Sequence, residues 1–246
     1  MRKTNVGYLP TTAAVLLICL GLFGCAAGRV ADDGSVLIFG ASRETGLEVA
    51  RILAARGEAV TAFVRPTSDR LALEALKKVK LVEGDALVPS DVAAALRSGK
   101  YRAVISTLGG GRGDTRPDLE GSNNVVDAAK AAGVKRVIIV TVIGTGDSSG
   151  AVSDRVKQFL GKVIAAKDKA EKYLMASGLD WTIIRPGGLT SDPATGHGVL
   201  LTDQSTMGSI SRTDLAQLVV KALDDPGTKE RIYHAIDRDM IGKAPM

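Results

Sequence analysis

The chain is poor in the residues that build most compact reactive sites. Among 246 residues there are two cysteines and two histidines. Cys19 falls inside an apolar N-terminal run, so a chain processed after that run keeps Cys25 alone and forms no internal disulfide. His197 and His234 lack cysteine or acidic partners at ligand spacing, so no metal site is expected. The net charge of +5 comes from lysines and arginines scattered among acids, which argues against a nucleic-acid partner. Lys77, Lys78 and Lys80 read as a solvated helix end leading into a strand. Gly109 to Gly113 is glycine-rich but lacks the Gly-Lys-Ser/Thr ending of a phosphate-loop nucleotidase. The strongly apolar stretch from Ala13 to Phe23 is shorter than the ~20 residues that span a bilayer core.

What is present begins at residue 36. Val36 to Phe39 is a short apolar run suited to a central parallel strand. Gly40 permits a sharp turn without a Cβ clash, and Gly46 lets a first helical turn approach the sheet or a phosphate. Leu47, Ala50 and Ala54 fall at i, i+3 and i+7, and Gly57 stands where a C-terminal cap belongs, so a helix follows the turn. Strand, glycine turn and helix in that order aim free amides and a positive dipole end at an anion. That arrangement holds a dinucleotide pyrophosphate. Gly40, Ser42, Arg43, Glu44, Thr45 and Gly46 are its candidate residues.

A glycine turn alone is a weak signal, and the second strand arbitrates. Ala59 to Val64 reads as that strand, and Arg65 ends it nineteen residues after Gly46, near the ~20-residue spacing at which such folds meet the adenosine ribose. An acid there selects NAD; a cation pairs with a 2′-phosphate instead. Arg65 therefore points to NADP(H), and Arg43 offers a second guanidinium to the same phosphate. The absence of an acid also sets aside a methyltransferase on a similar fold. The plainer reading of both arginines is as solvated loop residues.

Further strands are expected over 79–83, 102–107, 136–141, 180–185 and 231–236, separated by helices over 91–97, 119–132, about 152–176 and 213–223. Such alternation implies right-handed βαβ units and a parallel sheet covered on both faces, one α/β domain over 35–240. The segment from Leu189 to Met207, rich in Gly, Thr and Ser, is left as a short C-terminal substrate cap. Ligands of these sheets sit beyond the carboxyl ends of the strands. That rule adds Asp85, Thr107, Leu108, Gly109 and Gly110, Thr141 to Gly144, and Arg185, Pro186, Gly187 and Gly188 as candidates, with Gly109 to Gly113 as a flexible wall. His197, in a Gly-His-Gly loop, borders the expected pocket, and His234, in a strand, reads as structural.

The chain resembles an atypical short-chain dehydrogenase/reductase of the NmrA-like, NAD(P)-binding group, a Rossmann-type doubly wound fold. The likeness is carried by Gly40 to Gly46, Val82 to Asp85, Gly121 to Arg136, Lys167 to Leu174, Gly178 to Gly188 and Ile210 to Ala216, which span nearly all of 35–236. It implies that Asp85 approaches the adenine amine, that Thr107, Leu108 and Gly109 line a ribose, and that Pro186 and Gly187 flank the nicotinamide. One departure concerns binding: Arg43 replaces the usual middle glycine of the turn. Another concerns chemistry. Ordinary members use a Ser-Tyr-Lys set in which tyrosine passes the proton and lysine lowers its pKa. Aligning Lys167 on the family lysine puts Val163 at the tyrosine position, and Thr141 is the one hydroxyl left in the serine region. Lys167 and Thr141 are thus the surviving catalytic candidates, with a solvated lysine as the plainer reading of Lys167. Tyr173, well round the helix, reads as packing.

Arg2 and Lys3 followed by an uncharged stretch to residue 28 suit a signal peptide over 1–24. Its end, Leu22 to Ala27, resembles a bacterial lipobox, which implies lipidation of Cys25, a tether over 25–34 and attachment to a membrane surface. An exported, periplasmic-side lipoprotein is expected; an unused leader would leave the domain in the cytoplasm. No twin arginine is present, so a folded chain carrying NADPH is not expected to cross. Two functions follow. One is an NADPH-dependent oxidoreductase reducing a small quinone, flavin or carbonyl compound, its proton drawn from solvent. The other is a catalytically weak cofactor-sensing or assembly module, which leaves a protein partner open.

Overall fold

Strand β1 (Ser35–Phe39) sends Val36 and Ile38 into one apolar cluster and Leu37 and Phe39 into another. A strand buried on both faces belongs inside a parallel sheet with helices on either side. The computed structural model describes residues 1–3 and 34–242. The expected leader beyond Lys3, the lipidation residue Cys25 and the tether as far as residue 33 lie outside the described residues. Contacts divide the chain into two units, 1–31 and 32–246, and every element below belongs to the second.

After β1 come α1 (Glu44–Ala55), β2 (Val60–Val64), α2 (Leu71–Glu74), β3 (Val79–Glu83), α3 (Pro89–Arg97), β4 (Tyr101–Ser106), α4 (Ser122–Ala131), β5 (Arg136–Val140), α5 (Asp154–Met175) and β6 (Asp180–Pro186). The chain continues through β7 (Gly188–Thr190), β8 (Gly198–Leu201), β9 (Ser209–Ser211), α6 (Arg212–Asp224) and β10 (Arg231–Asp237). The main sheet runs β3-β2-β1-β4-β5-β6-β10-β8, and its order reverses beside β1. Its first seven strands are parallel, so their carboxyl ends share one edge. Helices α1 and α6 pack together on one face. The other face takes α3, α4 and the later turns of α5.

Three details depart from the sequence reading. The sheet is not wholly parallel, because β8 pairs antiparallel with β10, Gly198 opposite Asp237. Part of the expected cap thereby closes the sheet edge, while β7 and β9 form a small parallel pair. Four residues from a Gly- and Thr-rich stretch carry too little alternation to announce a strand. The expected helix at 119 begins earlier, with a π-helical turn over Pro117–Gly121. Proline suits that start because it lacks only an amide that would go unpaired. Tyr173 is not packing: it is half-exposed, and its hydroxyl donates to Asp127 Oδ1 at 2.7 Å.

Two buried polar groups tie the carboxyl half together. Arg136 donates to Asp180 O, Thr182 Oγ1, Ala222 O and Thr228 Oγ1 at 2.7–3.0 Å, joining β5 and β6 to the end of α6. His234 is fully buried in β10, with Nδ1 bonded to Thr206 O at 2.8 Å and Nε2 without a partner. Burial holds its pKa below the ordinary histidine value. The unfolded chain therefore binds this proton more readily, and stability falls as pH drops through the ordinary histidine pKa of about 6.5. Thermal melts between pH 7.5 and 5.5 should show Tm falling with acidification, and His234→Gln should flatten that slope.

Candidate functional site

The cleft lies at the carboxyl edge of the parallel strands and encloses about 460 Å³. Gly40, Ser42, Arg43, Glu44, Thr45 and Gly46 form its floor between β1 and α1. Arg65 enters from the end of β2, Asp85 from β3, Thr107, Leu108 and Gly109 from β4, Thr141 from β5 and Lys167 from α5. The fold thus collects all these residues. Pro186 and Gly187 are not among the residues that line the cleft. Pro186 is buried in β6, and a Cβ on Gly187 would meet Gly208 O at 2.0 Å, so this segment packs inward. Leu189, two residues on, supplies that wall. Ser68, Asp114, Arg116 and Pro117 also line the cleft without having been singled out in sequence. Ser68 follows Arg65 in a tight turn, Ser68 N to Arg65 O at 2.9 Å, which offered a local signal.

The turn is shaped by close approach. A Cβ on Gly46 would lie 2.2 Å from Gly40 O and 2.6 Å from Thr107 Oγ1, so this glycine serves contact with the sheet. Gly40 has φ +83°, and Glu44 adopts φ +52°, a left-handed conformation uncommon for a side-chain-bearing residue. The cap residue of α1, Arg43, makes no side-chain hydrogen bond to the first turn. The leading amides of α1 are thereby left to an external anion. Asp85 Oδ1 accepts from Leu87 N at 2.9 Å, and Asp85 N donates to Asp91 Oδ2 at 3.0 Å, which fixes that carboxylate at the cleft.

At the outer end, Arg43 and Arg65 are exposed, and neither guanidinium has an ion-pair or hydrogen-bond partner among the described residues. Nearby arginines differ: Arg70 pairs with Glu83 at 2.5 Å, and Arg116 is held twice by Asp114, Nε to Oδ1 at 3.0 Å and Nη2 to Oδ2 at 2.9 Å. Both of these uncompensated arginines line the same cleft.

The inner end revises the catalytic expectation. Lys167 is no solvated lysine, since its side chain is only 12% exposed and its Nζ forms an ion pair with Asp118 Oδ1 at 2.9 Å. The same Nζ donates to Leu108 O at 3.0 Å and Val140 O at 3.4 Å. Thr141 donates its single hydroxyl proton to Glu171 Oε1 at 2.6 Å, so the cleft meets its lone pairs. Glu171 is buried and also accepts from Thr145 Oγ1 at 2.8 Å. Arg185 donates to Glu171 Oε2 through Nη2 at 2.7 Å, and its Nη1 reaches Asp147 Oδ1 at 2.5 Å and Gln204 Oε1 at 2.7 Å. Burial works to lower the Arg185 pKa, but Glu171 and Asp147 outweigh it and hold that value above the ordinary one. Arg185 was a candidate by its place at the end of a strand, whereas Glu171 had been given no chemical role. The signal for Glu171 was the i, i+4 spacing from Lys167, which puts it on the sheet-facing side of α5.

The histidines stand elsewhere. His197 does not line the cleft. It does find acidic neighbours, because the end of β10 brings Asp237 and Asp239 to it, with ligand atoms within 4.8 Å of one another. Asp237 accepts from Thr195 Oγ1 and Asp239 N, and His197 Nδ1 bonds Asp239 Oδ2 at 2.5 Å. The group is closed by its own hydrogen bonds.

A parallel sheet whose strand order reverses beside an amide-lined glycine turn defines a dinucleotide-binding Rossmann protein. The pattern of the NAD(P)H-binding family matches residues 40–226, and the chain belongs to that family. It is 31% identical over 211 residues to a Bacillus subtilis protein named as the uncharacterized sugar epimerase YhfK, covering 83% of this chain and 94% of that one. The solved structure of ChuY, an anaerobilin reductase from Escherichia coli O157:H7, is similar at 33% identity and TM-score 0.75, over 84% of this chain and 98% of that one. A putative exported protein from Burkholderia pseudomallei is similar at 26% identity and TM-score 0.64, over 82% and 99%.

Removing one member of a buried ion pair strands the other, typically at about 3–5 kcal/mol. Glu171→Ala should therefore lower Tm by on the order of 10 °C. Glu171→Gln, which keeps an acceptor for Thr141, should lose less. Calorimetric melts of the two variants check this ordering.

Proposed function

We propose that the protein is an NADPH-dependent reductase of a small conjugated acceptor, a quinone or flavin in preference to an isolated carbonyl compound. The observation that carries this reading is the pair of uncompensated guanidiniums, Arg43 and Arg65, at the outer end of the cleft. A 2′-phosphate there would gain two charge-assisted partners, whereas a plain ribose would leave both without an anion. The capless amides of α1 would take the pyrophosphate, and Gly46 keeps them close to the sheet.

The inner end bears on the acceptor. Bound NADPH supplies a hydride. Lys167 Nζ is ion-paired with Asp118 and donates to Leu108 O and Val140 O, Thr141 commits its proton to Glu171, and Val163 has none to give. An isolated ketone turns into an alkoxide and needs an acid at the site. A quinone or flavin spreads the arriving electron pair over its conjugated system and takes its proton from water. Kinship with a reductase agrees with this reading. The same committed protons favour a second one, a cofactor-sensing or assembly module that binds NADPH without turnover.

For the leader we propose a lipid anchor at Cys25 that holds the domain on the outer face of a membrane, with a cytoplasmic protein as the alternative. The charge and apolar pattern of residues 1–24 supports it, as does likeness to a protein described as exported. Fractionation with a Cys25→Ser control decides between them: loss of membrane attachment in the variant supports lipidation, and equal soluble recovery of both sinks it. Export would separate the domain from cytoplasmic NADPH, so the same experiment shows in which compartment a reductase would have to work.

Cofactor titration followed by an acceptor panel tests the reductase. NADPH should bind at least about tenfold more tightly than NADH, and Arg65→Asp should abolish that preference, as expected for the loss of a charged hydrogen bond. Naphthoquinone or flavin should then oxidise NADPH faster than a simple ketone of similar size. Tight binding with no turnover selects the module, and indifference to the 2′-phosphate overturns both readings.

A further inference from the structure

An arginine and an exposed aromatic ring meet outside the inner end of the cleft, and no step described so far uses them. Arg112 belongs to the loop between β4 and α4, two residues beyond Gly110, which lines the cleft. Its guanidinium carbon lies 3.9 Å from the centre of the Phe159 ring. Phe159 is 58% exposed, on a stretch of α5 that otherwise presents Arg155, Lys157 and Lys162 to solvent. Arg112 covers one face of this ring, and the rest is open to solvent.

Helical spacing ties this ring to the cleft. Phe159, Val163 and Lys167 stand four residues apart, so they descend one side of α5 from solvent to the cleft wall. Arg112 has no carboxylate partner among the described residues, unlike Arg116 in the same loop, which Asp114 holds at 2.9 Å. The loop around it is uncrowded: Gly111 has φ +71°, and a Cβ at Gly111 or Gly113 would meet nothing within 4 Å. A cation over a solvent-exposed ring is weakly held, so a better partner displaces it.

We propose that Arg112 and Phe159 form the recognition site for an anionic, planar acceptor. This inference rests on the reductase reading and narrows its substrate class. The acceptor's ring lies against Phe159 and Val163, Arg112 leaves the ring face to pair with a carboxylate, sulfonate or phosphate at the acceptor's edge, and the reducible end points toward Thr141 and Lys167. Arg112 and Phe159 set specificity and take no part in the chemistry.

A matched pair of probes tests it: naphthoquinone sulfonate and the unsulfonated naphthoquinone, each followed by KM and by calorimetric binding, so that a protein without turnover still answers. Arg112→Ala should weaken binding of the sulfonate by about 3–5-fold, the effect of one ion pair near the surface, while the affinity for the neutral quinone stays unchanged. Arg112→Glu should weaken the sulfonate further. Phe159→Ala should weaken both. The NADPH affinity of all three variants should match the parent. Equal changes for the two quinones in the Arg112 variants, or no change, would overturn the proposal. Failure of the cofactor reading would show separately, in the NADPH titration of the parent protein.

Discussion

Helix α1 rests on the carbonyl of Gly40 because residue 46 has no side chain, and the rest of the site is arranged around that contact. A single Cβ there would sit 2.2 Å from the carbonyl oxygen and 2.6 Å from Thr107 Oγ1. With the helix drawn in, its unpaired amides face the sheet edge where β2, β3, β4 and β5 also end. Parallel strands make this convergence general, since every residue that follows a strand lands on the same edge. The cleft is therefore assembled from seven separate segments, these five and those of Lys167 and Leu189, with little help from any one of them.

The charge pattern divides the cleft into two ends with different characters. The outer end keeps two guanidiniums without partners, a costly arrangement only if nothing binds there, and a surface location keeps that cost small. The inner end is the reverse. Each donor is matched to an acceptor within the protein, and the buried Glu171–Arg185 pair extends those bonds to Asp147 before α5 and to Gln204 in the cap. Such a cluster holds geometry well and exchanges protons poorly. It suits a site that positions a hydride donor and leaves protonation to solvent.

Much of the fold was legible in the chain because its signals are local. The apolar runs of β1, β2 and β5 are buried throughout or nearly so, and the helices end at glycines or begin at caps such as Ser153 and Ser211, which accept from Val156 N and Asp214 N. Strand β8 was not legible, because its pairing depends on where β10 lies. The residues of the cleft floor could be named in advance, since strand ends converge by rule. The committed state of Lys167 could not: Asp118, Leu108 and Val140 come from distant positions, and their approach is a property of the packed chain.

Pattern alone determined a doubly wound α/β domain and a glycine turn facing a basic strand end, because each is written in neighbouring residues or fixed spacings; a valine at the tyrosine position is what the family resemblance implies. Only the tertiary structure decided that Leu189 lines the cleft, that Thr141 presents lone pairs, and that Arg112 lies on Phe159. Those facts depend on which groups meet across the fold, and a hydroxyl or a guanidinium acquires its chemical role from the partner it finds.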